Sequence, residues 1–259
     1  MNRTLKLAVT TAIAAMGMVS QAHALTNSTS VTSGSLFLYA FEDRQLNTVD
    51  ATNSAIFDLG LASAFDTASN QTFDFSANSA WTTYISTIAN PANIHWGVFG
   101  SAFGNGGTNT QMLTTLSVVP ASINGTAVNS AITNYNTEIS VYNNESTCGA
   151  SSSCGFNVVM INDLASAKFD DTAGILPSTV TAGLGDSMDF FKYKSNGTKA
   201  SVLSTQTAFA TGGDADYFTL SNTGVLTYTV AAVPEAETYG MMLAGLGLVG
   251  FMVRRRKAV

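Results

Sequence analysis

Both ends of the chain are apolar segments with basic flanks, which leaves only the stretch between them to build a folded core. The first 24 residues open with Arg3 and Lys6, continue as an apolar run from Leu7 to Val19, and close on Ala22-His23-Ala24. Charge, then an apolar helix, then small residues for a peptidase pocket is the grammar of a secretory signal peptide. The expected mature start is Leu25, after passage through the Sec translocon and cleavage by signal peptidase.

The C-terminal segment starts with Val233-Pro234-Glu235-Ala236-Glu237-Thr238-Tyr239-Gly240, runs as an apolar, glycine-rich stretch to Val253, and ends in Arg254, Arg255, Arg256 and Lys257. A helix from Tyr239 to Val253 spans roughly 22 Å, short of the roughly 30 Å hydrocarbon core of a bilayer. It is expected to cross with local thinning and with its arginines snorkelling. The positive-inside rule puts the basic end, 254–259, in the cytoplasm and everything from Leu25 to Glu237 outside. A Val-Pro-Glu start, an aromatic followed by a small residue, a glycine-rich apolar helix and a closing arginine cluster together resemble the PEP-CTERM sorting tail of Gram-negative bacteria. The resemblance implies recognition and cleavage by exosortase, a membrane-embedded cysteine transpeptidase, then release into or attachment to an extracellular polysaccharide matrix. It carries over to Val233, Pro234, Glu235 and Tyr239 as the sorting motif. Ala236 stands where that family's name has a second proline, which leaves the position of cleavage open. Pro234 keeps the segment extended and accessible just above the membrane.

Between the two ends, residues 25–232 form one expected domain. The chain is 46% apolar and only 11% charged, and Ser, Thr, Asn and Gly make up the difference, a mixture suited to strands and tight turns. Five basic residues face fifteen acidic ones between Leu25 and Ala232, so the body repels nucleic acid, and no nucleic-acid partner is expected. Strands are predicted over Gly34 to Phe41, Ala55 to Leu59, Thr72 to Phe75, Asn93 to Gly100, Met112 to Val119, Phe156 to Ile161, Met188 to Lys194, Tyr217 to Leu220 and Val225 to Val230. Trp81, Tyr84, Ile85 and Ile88 follow helical spacing, with Ser79 as the expected N-cap and Asn90-Pro91 as the stop. A second amphipathic helix is predicted from about Thr126 to Tyr142, with Val128, Ile132, Tyr135, Ile139 and Tyr142 on one face. The expected fold is mainly β (α+β), a single antiparallel sandwich-like domain carrying one or two helices. The body resembles a group of PEP-CTERM proteins of uncharacterised activity, and no function follows from that likeness.

Few residues offer chemistry. Cys148 and Cys154, separated by five residues and placed in an oxidising compartment, are expected to close a disulfide. His95 is the one histidine left after signal cleavage, and no Gly-x-Ser-x-Gly or comparable motif nominates a nucleophile for it. Its count rules out multi-histidine zinc sites. Asp170-Asp171, Asp186 with Asp189, and Gly212-Gly213-Asp214-Ala215-Asp216 read first as turn acids; Asp214 and Asp216 are the best calcium candidates, although they match no EF-hand loop. No cofactor is expected and no catalytic residue is assigned. The leading functional expectation is a structural or binding protein of the cell surface or extracellular matrix, with exopolysaccharide in a biofilm as a partner. A hydrolase of extracellular polysaccharide or protein and a calcium-dependent adhesin are the alternatives.

Overall fold

The apolar run that opens the body becomes β1 (Ser35–Glu42), and every residue in it is buried. Phe37, Tyr39 and Phe41 project to one side of the sheet, and Leu36, Leu38 and Ala40 project to the other, into two separate apolar layers. A strand covered on both faces reads as continuous hydrophobicity rather than alternation. The computed structural model describes residues 25–29, 32–42, 53–67, 69–104, 107–118, 123–144, 157–160, 181–210, 215–231 and 242–246.

The remaining strands are β2 (Ser54–Leu61), β3 (Gln71–Asp74), β4 (Ile94–Phe103), β5 (Gln111–Leu116), β6 (Asn157–Met160), β7 (Ala182–Gly183), β8 (Ser187–Lys194), β9 (Thr205–Ala208), β10 (Tyr217–Leu220) and β11 (Val225–Thr229). All pair antiparallel in one sheet ordered β3-β11-β10-β8-β5-β4-β1-β2-β6, with β7 beside β4 and β9 beside β8. The expected sandwich is therefore corrected to a single, nearly closed barrel-like sheet. Two sandwich layers would need a break in pairing, and here β4 pairs on to β5 and β5 to β8, so the ladder never divides.

Inside the curl lie Trp96, Phe57, Phe65, Phe190, Phe218 and Tyr228 with their aliphatic neighbours. Phe190 meets Phe218 edge-on at 5.1 Å, and Phe65 meets Tyr228 in the same way at 5.6 Å. Edge-to-face contacts of this kind add roughly 0.5–1.5 kcal/mol each beyond area burial. Helix α1 (Ser79–Thr87) follows β3 directly and lies against β6 at the other end of the strand order, so it fills the seam between the two terminal strands. Its Trp81 and Tyr84 enter the inner core, as their spacing predicts. The N-cap is Asn78 rather than Ser79, because the Asn78 side chain accepts the Ala80 amide at 2.8 Å while Ser79 is already helical. Asn90 caps a short 3-10 turn, Pro91–Asn93, which ends the helical register as expected.

Helix α2 (Gly125–Asn144) covers the outer face of β4, β5 and β8. Asn124 accepts the Ala127 amide at 2.8 Å as its cap. Val128, Ala131, Ile132, Tyr135 and Ile139 pack on Phe37, Phe99 and Met112 of the sheet. Tyr135 stacks on Phe37 at 5.7 Å, and its hydroxyl donates to the Ser35 carbonyl at 2.6 Å, which pins the helix to the start of β1.

Two buried phenols make no such bond. The hydroxyls of Tyr84 and Tyr193 lack any hydrogen-bond partner among the described residues. Burial, and for Tyr84 also the neighbouring Glu42 carboxylate, holds both well above the usual phenol range. Removing an unsatisfied buried hydroxyl while keeping the ring is close to neutral or stabilising. Tyr84→Phe and Tyr193→Phe are each expected to leave thermal unfolding unchanged or to stabilise the fold by up to about 1 kcal/mol. A loss of more than that in a calorimetric melt would show that the hydroxyls have partners.

Candidate functional site

The best-defined polar arrangement sits where the chain leaves the fold. Ser221-Asn222-Thr223-Gly224 turns β10 into β11, with the Gly224 amide donating to the Ser221 carbonyl at 3.1 Å and the Val225 amide to the Ser221 hydroxyl at 2.9 Å. Gly at the tight position matches the hairpin predicted from the residues. Strand β11 runs between β10 and β3, with Tyr228 opposite Phe218 on one side and Gln71 on the other.

Three bonds then fix the last residues before the tail. The Tyr228 hydroxyl donates to Oδ2 of Asp216 at 2.9 Å, the Ala231 amide donates to Oδ1 of the same carboxylate at 2.9 Å, and the Val230 amide donates to the Asn70 carboxamide oxygen at 2.7 Å. Asp216 is only 2% exposed. Burial, then the bond to Asp216, pushes the Tyr228 phenol well above its ordinary value, so the proton stays on the tyrosine. Asp216 thus acts as a clasp that holds the end of β11 to the start of β10. Asn70 and Tyr228 were not singled out from the residues; the short Asp216 to Tyr228 separation is the one local signal that could have pointed to them.

Among the described residues, the other sequence candidates are not assembled into a site. His95 lies on β4 opposite Gly183 of β7, with its ring tilted over Phe41 at 6.0 Å. Asp186 sits in the turn before β8, its amide donating to the Gly183 carbonyl. Asp189 lies on β8 opposite Leu116 and Tyr217, and burial raises its carboxyl. Cys148, Cys154, Asp170, Asp171 and Asp214 lie outside the described residues, as do Val233, Pro234, Glu235 and Tyr239. Among the described residues no three His, Cys, Asp or Glu side chains come together as a metal-binding group.

Immediately beyond the Asp216 clasp, residues 232–257 match the family model described as the PEP-CTERM protein-sorting motif. The chain carries a PEP-CTERM sorting motif. No curated protein and no solved structure matches the chain. The PEP-CTERM motif implies an exported protein whose C-terminus is processed by exosortase. It begins one residue after Ala231, so the recognition segment is joined to the barrel without a spacer. Within the tail, residues 242–246 are helical, with Met242, Leu243 and Leu246 exposed. Among the described residues no helix is long and apolar enough to cross a membrane.

Proposed function

We propose that this protein is displayed at the cell surface or in the extracellular matrix after exosortase processing, and that it acts there as a structural or binding module rather than as an enzyme. The observation that carries this reading is the sorting motif at residues 232–257, which follows Ala231 in the chain. Leu25, the expected mature start, supports the export half. It is 3% exposed, its amide nitrogen donates to the Asn143 side chain at 3.0 Å, and its carbonyl accepts from the same carboxamide at 2.9 Å. Cleavage before Leu25 therefore leaves a terminus with a docking place on α2. The excess of acidic over basic residues in the body keeps it soluble and away from anionic lipid once released. In the oxidising compartment Cys148 and Cys154 form a disulfide that closes a short loop after α2.

Mass spectrometry of the mature protein from a producing strain is expected to show Leu25 at the N-terminus, loss of the segment from Arg254 to Val259, and a mass that rises on reduction and alkylation only as a disulfide predicts. In a strain lacking exosortase the C-terminus should stay intact and membrane-bound. Recovery of the intact C-terminus in a strain that has exosortase would overturn the display reading and leave a membrane-anchored protein in its place.

A further inference from the structure

The residues that follow the expected cleavage point are held far more firmly than a usual chain end, which frays unless it is tied down. Two carboxamides of α2, Asn136 and Asn143, each grip one residue of the segment 25–29 as a neighbouring strand would. The Leu25 amide donates to Oδ1 of Asn143 at 3.0 Å, and Nδ2 of Asn143 donates to the Leu25 carbonyl at 2.9 Å. In the same way the Ser28 amide donates to Oδ1 of Asn136 at 3.0 Å, and Nδ2 of Asn136 donates to the Ser28 carbonyl at 3.3 Å.

The spacing explains why both grips close together. From Asn136 to Asn143 a helix rises roughly 10.5 Å, and from Leu25 to Ser28 an extended chain runs roughly 10 Å. The segment therefore lies antiparallel along α2 as a strap. Its other side is fastened to the sheet. The Ser28 hydroxyl donates to the Gly104 carbonyl at 2.6 Å, the Gly104 amide donates to the Thr29 carbonyl at 2.7 Å, and the Ser35 amide at the head of β1 donates to the Thr26 carbonyl at 2.9 Å. Leu25 and Ser28 are both buried, Leu25 within the apolar layer under α2.

This arrangement bears on the reaction that creates the mature terminus. When the bond after Ala24 is hydrolysed, water adds to the Ala24 carbonyl carbon, the C–N bond breaks, and the Leu25 nitrogen leaves as an amine carrying the transferred proton. In the folded body the proton already on that nitrogen is committed to Asn143, and Leu25 is covered. An extended peptide is recognised through its main-chain N–H and C=O groups. Those of Leu25 and Ser28 are already spent on the two asparagines.

We propose that docking of the 25–29 strap on α2 closes the signal-peptidase site, so that cleavage after Ala24 has to precede folding of the body, with Asn136 and Asn143 setting that order. The proposal rests on the export reading given above. Hydrolysis of the still unfolded chain comes first, and a chain that folds with its leader attached keeps it.

The test uses the purified full-length precursor and a purified signal peptidase in detergent, with N-terminal sequencing of the product. The precursor is offered either folded or freshly diluted from urea. The unfolded chain is expected to be cut after Ala24, and the folded chain at least about a hundredfold more slowly, because cutting of a docked segment follows its open population. The double variant Asn136→Leu with Asn143→Leu should raise the folded-state rate about tenfold or more and leave the unfolded-state rate unchanged. A second precursor, with Gly-Ser-Gly-Ser inserted between Ala24 and Leu25, leaves the body intact and carries the scissile bond clear of the strap. It should be cut at the unfolded-state rate even when folded. The proposal is overturned if the folded parent is cut as fast as the unfolded one, or if the double variant and the spacer precursor stay as resistant as the folded parent. Failure of the unfolded chain to be cut after Ala24 is a separate result, which overturns the signal-peptide reading itself and the proposal with it.

Discussion

Asp216→Ala is expected to cost about 3–5 kcal/mol, because it strips two donors of an acceptor that each bond at charge-assisted strength, about 1.5–3 kcal/mol. The Tyr228 hydroxyl and the Ala231 amide would both be left without their carboxylate, the first of them buried. For a domain of this size that corresponds to a melting point lowered by roughly 10 °C or more. The damage should be local before it is global. Ala231 is released first, then Val230, whose amide bond to Asn70 holds only while β3 stays beside β11. Limited proteolysis is the sharper readout, since cutting between Thr229 and Pro234 should rise at temperatures where the rest of the barrel resists. Tyr228→Phe gives the control, because it removes one of the two bonds and should cost less than half as much. If Asp216→Ala melts within about 1 kcal/mol of the parent, the carboxylate is not a clasp, and the domain end is held by strand pairing alone.

The clasp also shows how differently local and distant information was legible. The helices were readable because a 3.6-residue period needs only its own segment: Trp81, Tyr84, Val128, Ile132, Tyr135 and Ile139 all reach the cores their spacing assigns. Strand β1 was readable from its unbroken apolar run, and the β10–β11 hairpin from the glycine in its turn. Strand β9 was not, because Thr205-Gln206-Thr207-Ala208 has no apolar alternation, and β7 is only two residues long. The closure of the sheet was beyond reach for a different reason. It depends on β8 pairing with β5 on one side and with β10 and β9 on the other, and on β6 returning to β2, contacts that join residues far apart in the chain. The same divide separates the functional features. The sorting motif was legible because it is contiguous and needs only its own residues. Asp216 was noticed as an acid in a glycine-rich turn, and its donors become apparent only once β10 and β11 are paired.

Gly224→Ala should be comparably costly, at about 2–5 kcal/mol, and it tests the hairpin from which the tail departs. Gly224 has φ of +86°, a left-handed conformation that costs a residue with a Cβ about 1–2 kcal/mol. A methyl group here would also lie 2.6 Å from Cε2 of Trp81, inside the contact distance of the indole ring. That ring has little room to move: it is 3% exposed, 6.0 Å from both Phe57 and Tyr84, and carried by the helix that fills the barrel seam. Overpacking against so confined a group adds a further 1–3 kcal/mol. The substitution would also disturb the Phe75 amide, which donates to the Gly224 carbonyl at 2.9 Å and ties the entry of α1 to the hairpin. A double-mutant cycle separates the two costs. In a Trp81→Ala background the steric part disappears while the backbone part persists, so Gly224→Ala should then cost only about 1–2 kcal/mol. An undiminished penalty in that background would mean that the turn alone sets the requirement for glycine and that α1 does not press on the hairpin. A penalty that shrinks as expected makes Trp81 and Gly224 one contact through which the seam helix supports the strand leading to the sorting motif.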